Sequence, residues 1–244
     1  MSKTAVLIPA RWASTRFPGK PLHVIAGKPL VQHVWERASR ARGIERVIVA
    51  TDDIRIAETA FDFGAEVAMT SPKCVSGTDR CAEVAARLRG FRQVVNVQGD
   101  EPLVDPALIS RLAATLEAER SLDMATAATP FAPEEDASNP NAVKVVVNRA
   151  GNALYFSRSL IPHPRDGGRV AWMRHLGIYA YTVRFLLQFV QWRPGQLEKI
   201  ESLEQLRALE NGASIRVIKA KGASVGVDTP SDVALAERLL LKKR

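Results

Sequence analysis

The sequence predicts an α/β protein with a mostly parallel sheet and helices on both faces, followed by a β-rich excursion. Three observations predict it. Short apolar runs rich in Val and Ile alternate with segments whose apolar residues recur at helical spacing. Those runs are continuously apolar, the pattern of strands covered on both faces. The chain has 244 residues, 46% hydrophobic and 25% charged, an ordinary globular balance at a length that buries one large core.

Residues 5–8, 46–50, 66–69 and 94–98 are the expected parallel strands. Residues 30–42, 54–63 and 79–88 are the helices between them, with apolar positions such as Val31, Val34, Trp35 and Ala38 on one face. Residues 106–120 make a further amphipathic helix. The rhythm then changes. Strands at 124–129, 143–147 and 153–157 are separated by loops at 130–141 and 162–169 rich in Pro, Asn, Asp and Gly, which reads as an antiparallel insert or edge extension. A strand at 175–181, an apolar helix at 183–190, a helix at 196–210 ended by Asn211-Gly212, and a strand at 215–220 follow. Thr229-Pro230-Ser231-Asp232 opens the last helix. One domain spanning 1–244 is expected, with 123–181 as its β-rich extension.

The formal net charge is +8 and it is uneven: residues 1–46 carry nine basic residues against Glu36 and Glu45, and Lys242, Lys243 and Arg244 end the chain. A basic balance raises nucleic acid as a partner. The cations form no Lys/Arg blocks, however, and the 4 Trp, 3 Tyr and 8 Phe sit mostly within apolar patterns, not as a stacking stripe. A local anion site is favoured. No stretch approaches the ~20 apolar residues of a membrane span, and the first apolar run stops at Pro9, too short for a signal-peptide core. Cys74 and Cys81, without metal-type spacing or His partners, read as ordinary thiols of a cytoplasmic protein.

In an open parallel sheet, ligands bind beyond the carboxyl ends of the strands. The segment 9–20 after the first strand places Arg11, Arg16 and Lys20 there; it is neither a GxGxxG fingerprint nor a Walker A loop. Arginine holds phosphate oxygens bidentately, and lysine acts as a mobile point charge. After the fourth strand, Val97-Gln98-Gly99-Asp100-Glu101-Pro102 puts a carboxylate at a strand tip, where a Mg²⁺ on substrate phosphates would need an oxygen ligand; Asp105 before Pro106 is the better helix cap. Asp228 before Thr229-Pro230 reads by itself as a cap. His175 and Tyr179, four apart, share one side of a strand. Glu198, Glu201 and Glu204, three apart, read by themselves as a solvated helical face.

Nine ordered blocks add a resemblance: I-P-A-R-x-x-S-T-R-F-P-G-K-P-L, A-T-D-D, S-G-T-D-R, N-V-Q-G-D-E-P, N-P-N-A-V-K-V-V, Y-F-S-R, R-H-L-G-I-Y-x-Y, L-E-x-x-E-S-L-E-Q-L-R and V-D-T-P, from Ile8 to Pro230. In these the chain resembles the 3-deoxy-manno-octulosonate (Kdo) cytidylyltransferases over essentially its whole length. The resemblance implies a nucleotidyltransferase-like, Rossmann-like domain with a dimerisation and sugar-binding extension. It implies a cytoplasmic homodimer that transfers CMP from CTP to Kdo with Mg²⁺, releasing pyrophosphate, in the supply of lipopolysaccharide core. No nucleic acid or membrane partner is implied.

Carried over by motif, Arg11 and Lys20 would contact the triphosphate, with Ser14 and Arg16 in the same loop. Ser76, Gly77 and Arg80 would border the cytosine and ribose, with Gln98 nearby. Asp100 and Asp228 would hold Mg²⁺. Arg158, His175, Tyr179 and Glu204 would line the sugar pocket. Arg11, Lys20 and Asp100 would carry the transfer itself, an in-line attack of the sugar's anomeric hydroxyl on the α-phosphorus. Trp12 stands where Tyr is common in the family, and the segment 162–169 is short. An 8-amino-Kdo or sialic acid cytidylyltransferase is the alternative within the enzyme class. A basic nucleic-acid-binding protein is the alternative outside it.

Overall fold

The computed structural model describes residues 3–13, 17–168, 170–222, 226–227 and 229–242. In chain order the elements are β1 (Lys3–Ala10), a 3-10 turn (Lys20–Leu22), a small hairpin of β2 (Val24–Ile25) and β3 (Lys28–Pro29), α1 (Leu30–Ala38), β4 (Arg46–Thr51), α2 (Ile54–Asp62), β5 (Glu66–Met69), α3 (Gly77–Ala85), β6 (Phe91–Asn96), α4 (Pro106–Ala118), β7 (Met124–Pro130), β8 (Lys144–Val147), β9 (Ala153–Ser157), β10 (Met173–Thr182), α5 (Val183–Phe189), α6 (Gln196–Glu201), α7 (Leu206–Glu210), β11 (Ile215–Lys219) and α8 (Pro230–Lys242).

The main sheet runs β11-β7-β10-β6-β1-β4-β5. β1 pairs in parallel with β4 and β6, β4 with β5, and β7 with β11. Only β10 in this path is antiparallel, to β6 on one side and β7 on the other. β8 and β9 form an antiparallel hairpin joined to β10 at Arg174 and Lys144. Within 123–181, then, β7 and β10 are built into the sheet, and β8–β9 stands off its path.

Strand periodicity sorts the core into two layers. From β1, Val6, Ile8 and Ala10 pack with α1, α2 and α4, while Ala5 and Leu7 pack with α3, α5 and α7. The helix starts follow from local chemistry. Asp53 caps α2, Ser76 and Asp79 form a reciprocal capping box on α3, Asp105 caps α4 ahead of Pro106, and Thr182 caps α5. At α8 the Thr229 hydroxyl and backbone N–H both donate to Asp232, each at 2.8 Å. That end is therefore closed by Thr229 and Asp232.

The helix expected over 196–210 is instead two helices broken at Ser202, which takes a left-handed φ of 51°. The break leaves backbone carbonyls without helical donors, and Arg158 takes two of them: Nε donates to Glu201 O at 2.7 Å and Nη2 to Ser202 O at 3.2 Å. Its Nη1 donates to Pro140 O at 2.9 Å. The three glutamates read as a solvated face each have a tertiary partner. Glu198 holds Arg207, Glu201 accepts from Ser157 and the Arg158 backbone, and Glu204 accepts from Thr78.

Lys144, fully buried in β8, donates to the carbonyls of Asn139 and Arg158 and so ties both loops to the hairpin. Burial, with repulsion from Arg158, lowers its ammonium from the usual lysine range. Lys144→Met keeps the packing but strands two acceptors. It should cost about 2–4 kcal/mol in urea unfolding, and a loss within 0.5 kcal/mol, roughly the noise of a surface change, would show that neither bond contributes.

Candidate active site

The chain leaves β1 toward β4 on one side and leaves β6 toward β7 on the other, so the loops after these neighbouring strands diverge. A sheet opens a crevice for ligand at such a switch point. Two glycines bring the walls together. A Cβ at Gly99 would stand 2.8 Å from the Pro9 carbonyl oxygen, too close for any side chain. One at Gly77 would meet the Pro9 ring at 3.2 Å. The exits of β1 and β6 and the start of α3 thereby converge on Pro9.

They enclose a cleft of about 370 Å³ lined by Arg11, Lys20, Ser76, Gly77, Arg80, Gln98 and Asp100, among others. Seven of the residues singled out in the sequence thus share one wall system. Arg11 is exposed. Lys20 Nζ lies 2.7 Å from Asp100 Oδ2, with the two side chains 15% and 30% exposed. Arg80 is buried, its Nη2 3.1 Å from Asp52 Oδ2 and its Nη1 donating to the Thr70 hydroxyl. The Ser76 hydroxyl is engaged in the α3 capping box, and Gln98 Nε2 lies 3.4 Å from Asn96 Oδ1. Cys74 also lines this cleft; burial and a 3.3 Å contact with the Glu83 carboxylate push its thiol up to about 11, which keeps it unreactive.

Among the described residues, no three His, Cys, Asp or Glu side chains gather as a metal cage. A Mg²⁺ that keeps several waters and rides on phosphates needs only one or two carboxylates. Asp100, a hard oxygen donor beside the cations Lys20 and Arg11, fits that kind of ion. Val227 N–H donates to Asp100 O at 2.8 Å, tying the chain at 227 to the Asp100 turn. Asp228 lies outside the described residues, as do Ser14 and Arg16.

A second cleft, about 540 Å³, opens where β10 meets the loops at 131–143 and 203–205. His175 and Tyr179 line it, as does Glu101, so the consecutive residues Asp100 and Glu101 border different clefts. Arg158 and Glu204 are not on its wall. Arg158 is spent on the three carbonyls described above, and Glu204 sits against Thr78 at the start of α3, its carboxyl raised by burial. The wall includes a residue that sequence reading passed over: Gln205 is 4% exposed and its Nε2 has no hydrogen-bond partner. Such a buried orphan donor is costly unless a ligand answers it. Its signal in the sequence was only its place beside Glu204 in a run that looked helical throughout. Asn141, from the N-P-N-A block, is on the same wall.

His175 packs edge-on against Phe156 and beside Tyr179, and its Nε2 lies 2.9 Å from the Thr126 hydroxyl. That hydroxyl is 2.8 Å from Ile178 O and donates to it, so the imidazole donates to Thr126. Burial lowers the imidazole to about 3, and Tyr179 is held well above the usual phenol range for the same reason. Both are neutral hydrogen-bonding groups at physiological pH.

Three comparisons with known proteins bear on these clefts. A family model described as "Cytidylyltransferase" matches residues 5–215. The chain is 50% identical to a 3-deoxy-manno-octulosonate cytidylyltransferase of Syntrophotalea carbinolica, over 97% of this chain and 98% of that one. It is 52% identical to one of Vibrio vulnificus, over 98% of each. Among solved structures it is similar to a CMP:2-keto-3-deoxy-manno-octonic acid synthetase complexed with CTP, with a TM-score of 0.94, 40% identity and all of both chains covered.

The neutral imidazole has a consequence for stability. The unfolded chain takes up a proton on His175 near pH 6.5, whereas the fold refuses it until about 3. Stability is therefore full above pH 6.5 and falls as pH drops below it. Between pH 7.5 and pH 5, the wild type should lose about 2 kcal/mol more than His175→Asn in urea titrations. Equal losses would mean that the ring protonates freely in the folded state.

Proposed function

The chain belongs to the 3-deoxy-manno-octulosonate cytidylyltransferases, and from that premise we propose how its two clefts divide the work. It is a nucleotidyltransferase that transfers CMP from CTP to Kdo. The cleft at the switch point takes CTP, and the cleft on β10 takes the sugar acid. The observation that carries this reading is the turn at Asp100 and Glu101, whose consecutive residues border the two clefts. Donor and acceptor substrates are thereby held on either side of one backbone step, the proximity that a bimolecular transfer requires.

In the transfer, the anomeric hydroxyl oxygen of Kdo forms a bond to the α-phosphorus in line. The bond from that phosphorus to the bridging oxygen breaks, and the electron pair leaves with pyrophosphate. The hydroxyl proton is released to solvent. Lys20 and Arg11 neutralise the phosphate charge that the departing pyrophosphate accumulates. Asp100 would hold Mg²⁺, with Asp228 as a second ligand. When bound, that ion supplies further charge neutralisation and acidifies the attacking hydroxyl. Ser14 and Arg16 are assigned to the same phosphate loop.

Ser76, Gly77, Arg80 and Gln98 form the base and ribose side. For the acid sugar, the described wall offers neutral donors: the Tyr179 hydroxyl, Asn141 and the orphaned Gln205 Nε2. Arg174, which also lines it, is paired with Glu135. Arg158 acts through the Ser202 break that positions Gln205, and Glu204 anchors that loop to α3. The exposed Val147 and Leu154 of the β8–β9 hairpin support a homodimer. No helix among the described residues is long and apolar enough to cross a membrane, and the free thiols Cys74 and Cys81 support a reducing, cytoplasmic setting.

Pyrophosphate release with CTP, Kdo and Mg²⁺ tests the assignment. Asp100→Asn and Lys20→Met should each lower kcat by about 10²–10³-fold at an unchanged melting temperature. Asp100→Asn should also lose its response to Mg²⁺ concentration. Near-normal turnover in Asp100→Asn removes that residue from the chemistry, and silence with Kdo beside turnover with 8-amino-Kdo or a sialic acid moves the substrate.

A further inference from the structure

The A-T-D-D block at the end of β4 contains two acidic residues with different tasks. Asp53 caps α2, accepting from the Arg55 backbone N–H at 3.0 Å and from its guanidinium. Asp52 takes no part in that cap. Its Oδ2 lies 3.1 Å from Arg80 Nη2, with the Arg80 side chain 3% exposed and that of Asp52 21%. The other terminal nitrogen of Arg80 donates to the Thr70 hydroxyl. Thr70 is itself fixed by its backbone N–H, which donates to Thr51 O at 2.8 Å. Both groups that grip the guanidinium thus belong to one corner, where β4 and β5 end side by side.

A buried guanidinium without a counter-charge is strongly unfavourable, so Asp52 explains how Arg80 can sit there. It does not by itself explain why a buried cation borders the nucleotide cleft. A guanidinium has five N–H groups in a rigid fork. Thr70 accepts one N–H from Nη1 and Asp52 forms an ion pair with Nη2, and the remaining donors keep a fixed direction because both terminal nitrogens are held.

We propose that Asp52 is a positioning residue for base selection: with Thr70 it aims Arg80 at the acceptor edge of cytosine, O2 and N3, and so sets the preference for CTP over UTP. Uracil carries an N–H at position 3 where cytosine offers a lone pair. A fixed donor cannot serve both, and an unanswered buried donor discriminates strongly. A swinging guanidinium could retreat from uracil, and a clamped one cannot. The inference rests on the assignment of the switch-point cleft to the nucleotide.

Asp52→Asn keeps the size and an acceptor oxygen while removing the charge. Steady-state kinetics with CTP and with UTP should show KM for CTP rising about tenfold, kcat within about twofold, and the CTP-over-UTP ratio of kcat/KM falling about tenfold, since the loss lies in recognition. Thr70→Val should shift the same two quantities in the same direction. Arg80→Lys should lose more, and adding Asp52→Asn to it should cost nothing further, because the aspartate acts only through the arginine. Melting temperatures are measured on every variant. If Arg80→Lys raises KM and erodes selectivity while folded Asp52→Asn and Thr70→Val keep wild-type values, positioning is overturned and the nucleotide assignment stands. If Arg80→Lys itself keeps the wild-type KM for CTP, the assignment of the cleft fails. A fall in kcat that tracks lost folded protein, with KM and base preference unchanged in what remains, reduces the Asp52–Arg80 pair to a structural one and overturns the proposal.

Discussion

The shape of the first cleft depends on how closely two chain segments approach Pro9 at the end of β1. At Gly99 the separation from the Pro9 carbonyl leaves no room for a methyl group, and at Gly77 it leaves very little. If either contact opened, the β6 turn or the α3 start would move out, and Asp100 or Arg80 would go with it. Positions in an active site must hold to fractions of an ångström for the chemistry to proceed. Here backbone sterics fix the spacing of the cleft walls.

The charges then follow a consistent plan. Each cation drawn into the first cleft's wall has a carboxylate within reach, Lys20 with Asp100 and Arg80 with Asp52, while the exposed Arg11 needs none. Paired in this way, cations survive partial burial and remain available to an anion with more charge than a single carboxylate. The β10 cleft is more mixed: a neutral imidazole, a neutral phenol and amide groups stand beside the carboxylates Glu101, Glu135, Asp136 and Asp232 and the cation Arg174.

The parts of this arrangement that are local in the sequence were legible in it. The strands of the first hundred residues follow from unbroken apolar runs, and the start of α4 from Asp105; the helix read as starting at 79 begins at Gly77, capped by Ser76. Arg11, Lys20 and Asp100 follow from the rule that ligands gather at strand ends. What failed to show was non-local. Residues 196–210 have an uninterrupted helical pattern, and nothing nearby reveals that Arg158, more than forty residues earlier, captures the carbonyls of a break at Ser202. With the break hidden, Gln205 went unremarked and the three glutamates, by spacing alone, looked like a solvated face. Likewise β7 and β10 looked like an appendage, because their pairing with β6 and β11 lies between distant segments. Arg158 itself was expected against the sugar by motif, and the structure gives it a load on the backbone instead.

The antiparallel setting of β10 also bears on how the chain is made. Synthesis delivers β1, β4, β5 and β6 first, and they are neighbours in the sheet, so the walls of the switch-point cleft up to Asp100 can assemble on the emerging segment. β6 then waits with a bare edge. The next strand made, β7, does not fill it, because the place beside β6 belongs to β10, made some forty residues later. During that interval two apolar strands stand with unpaired edges, the condition under which nascent chains associate wrongly. When β10 slides between them it closes the sheet and, in the same event, brings His175 and Tyr179 to the second cleft. A ribosome-bound chain would thus own its first cleft before its second, and a chain stalled before residue 173 would carry an open seam down the middle of its sheet.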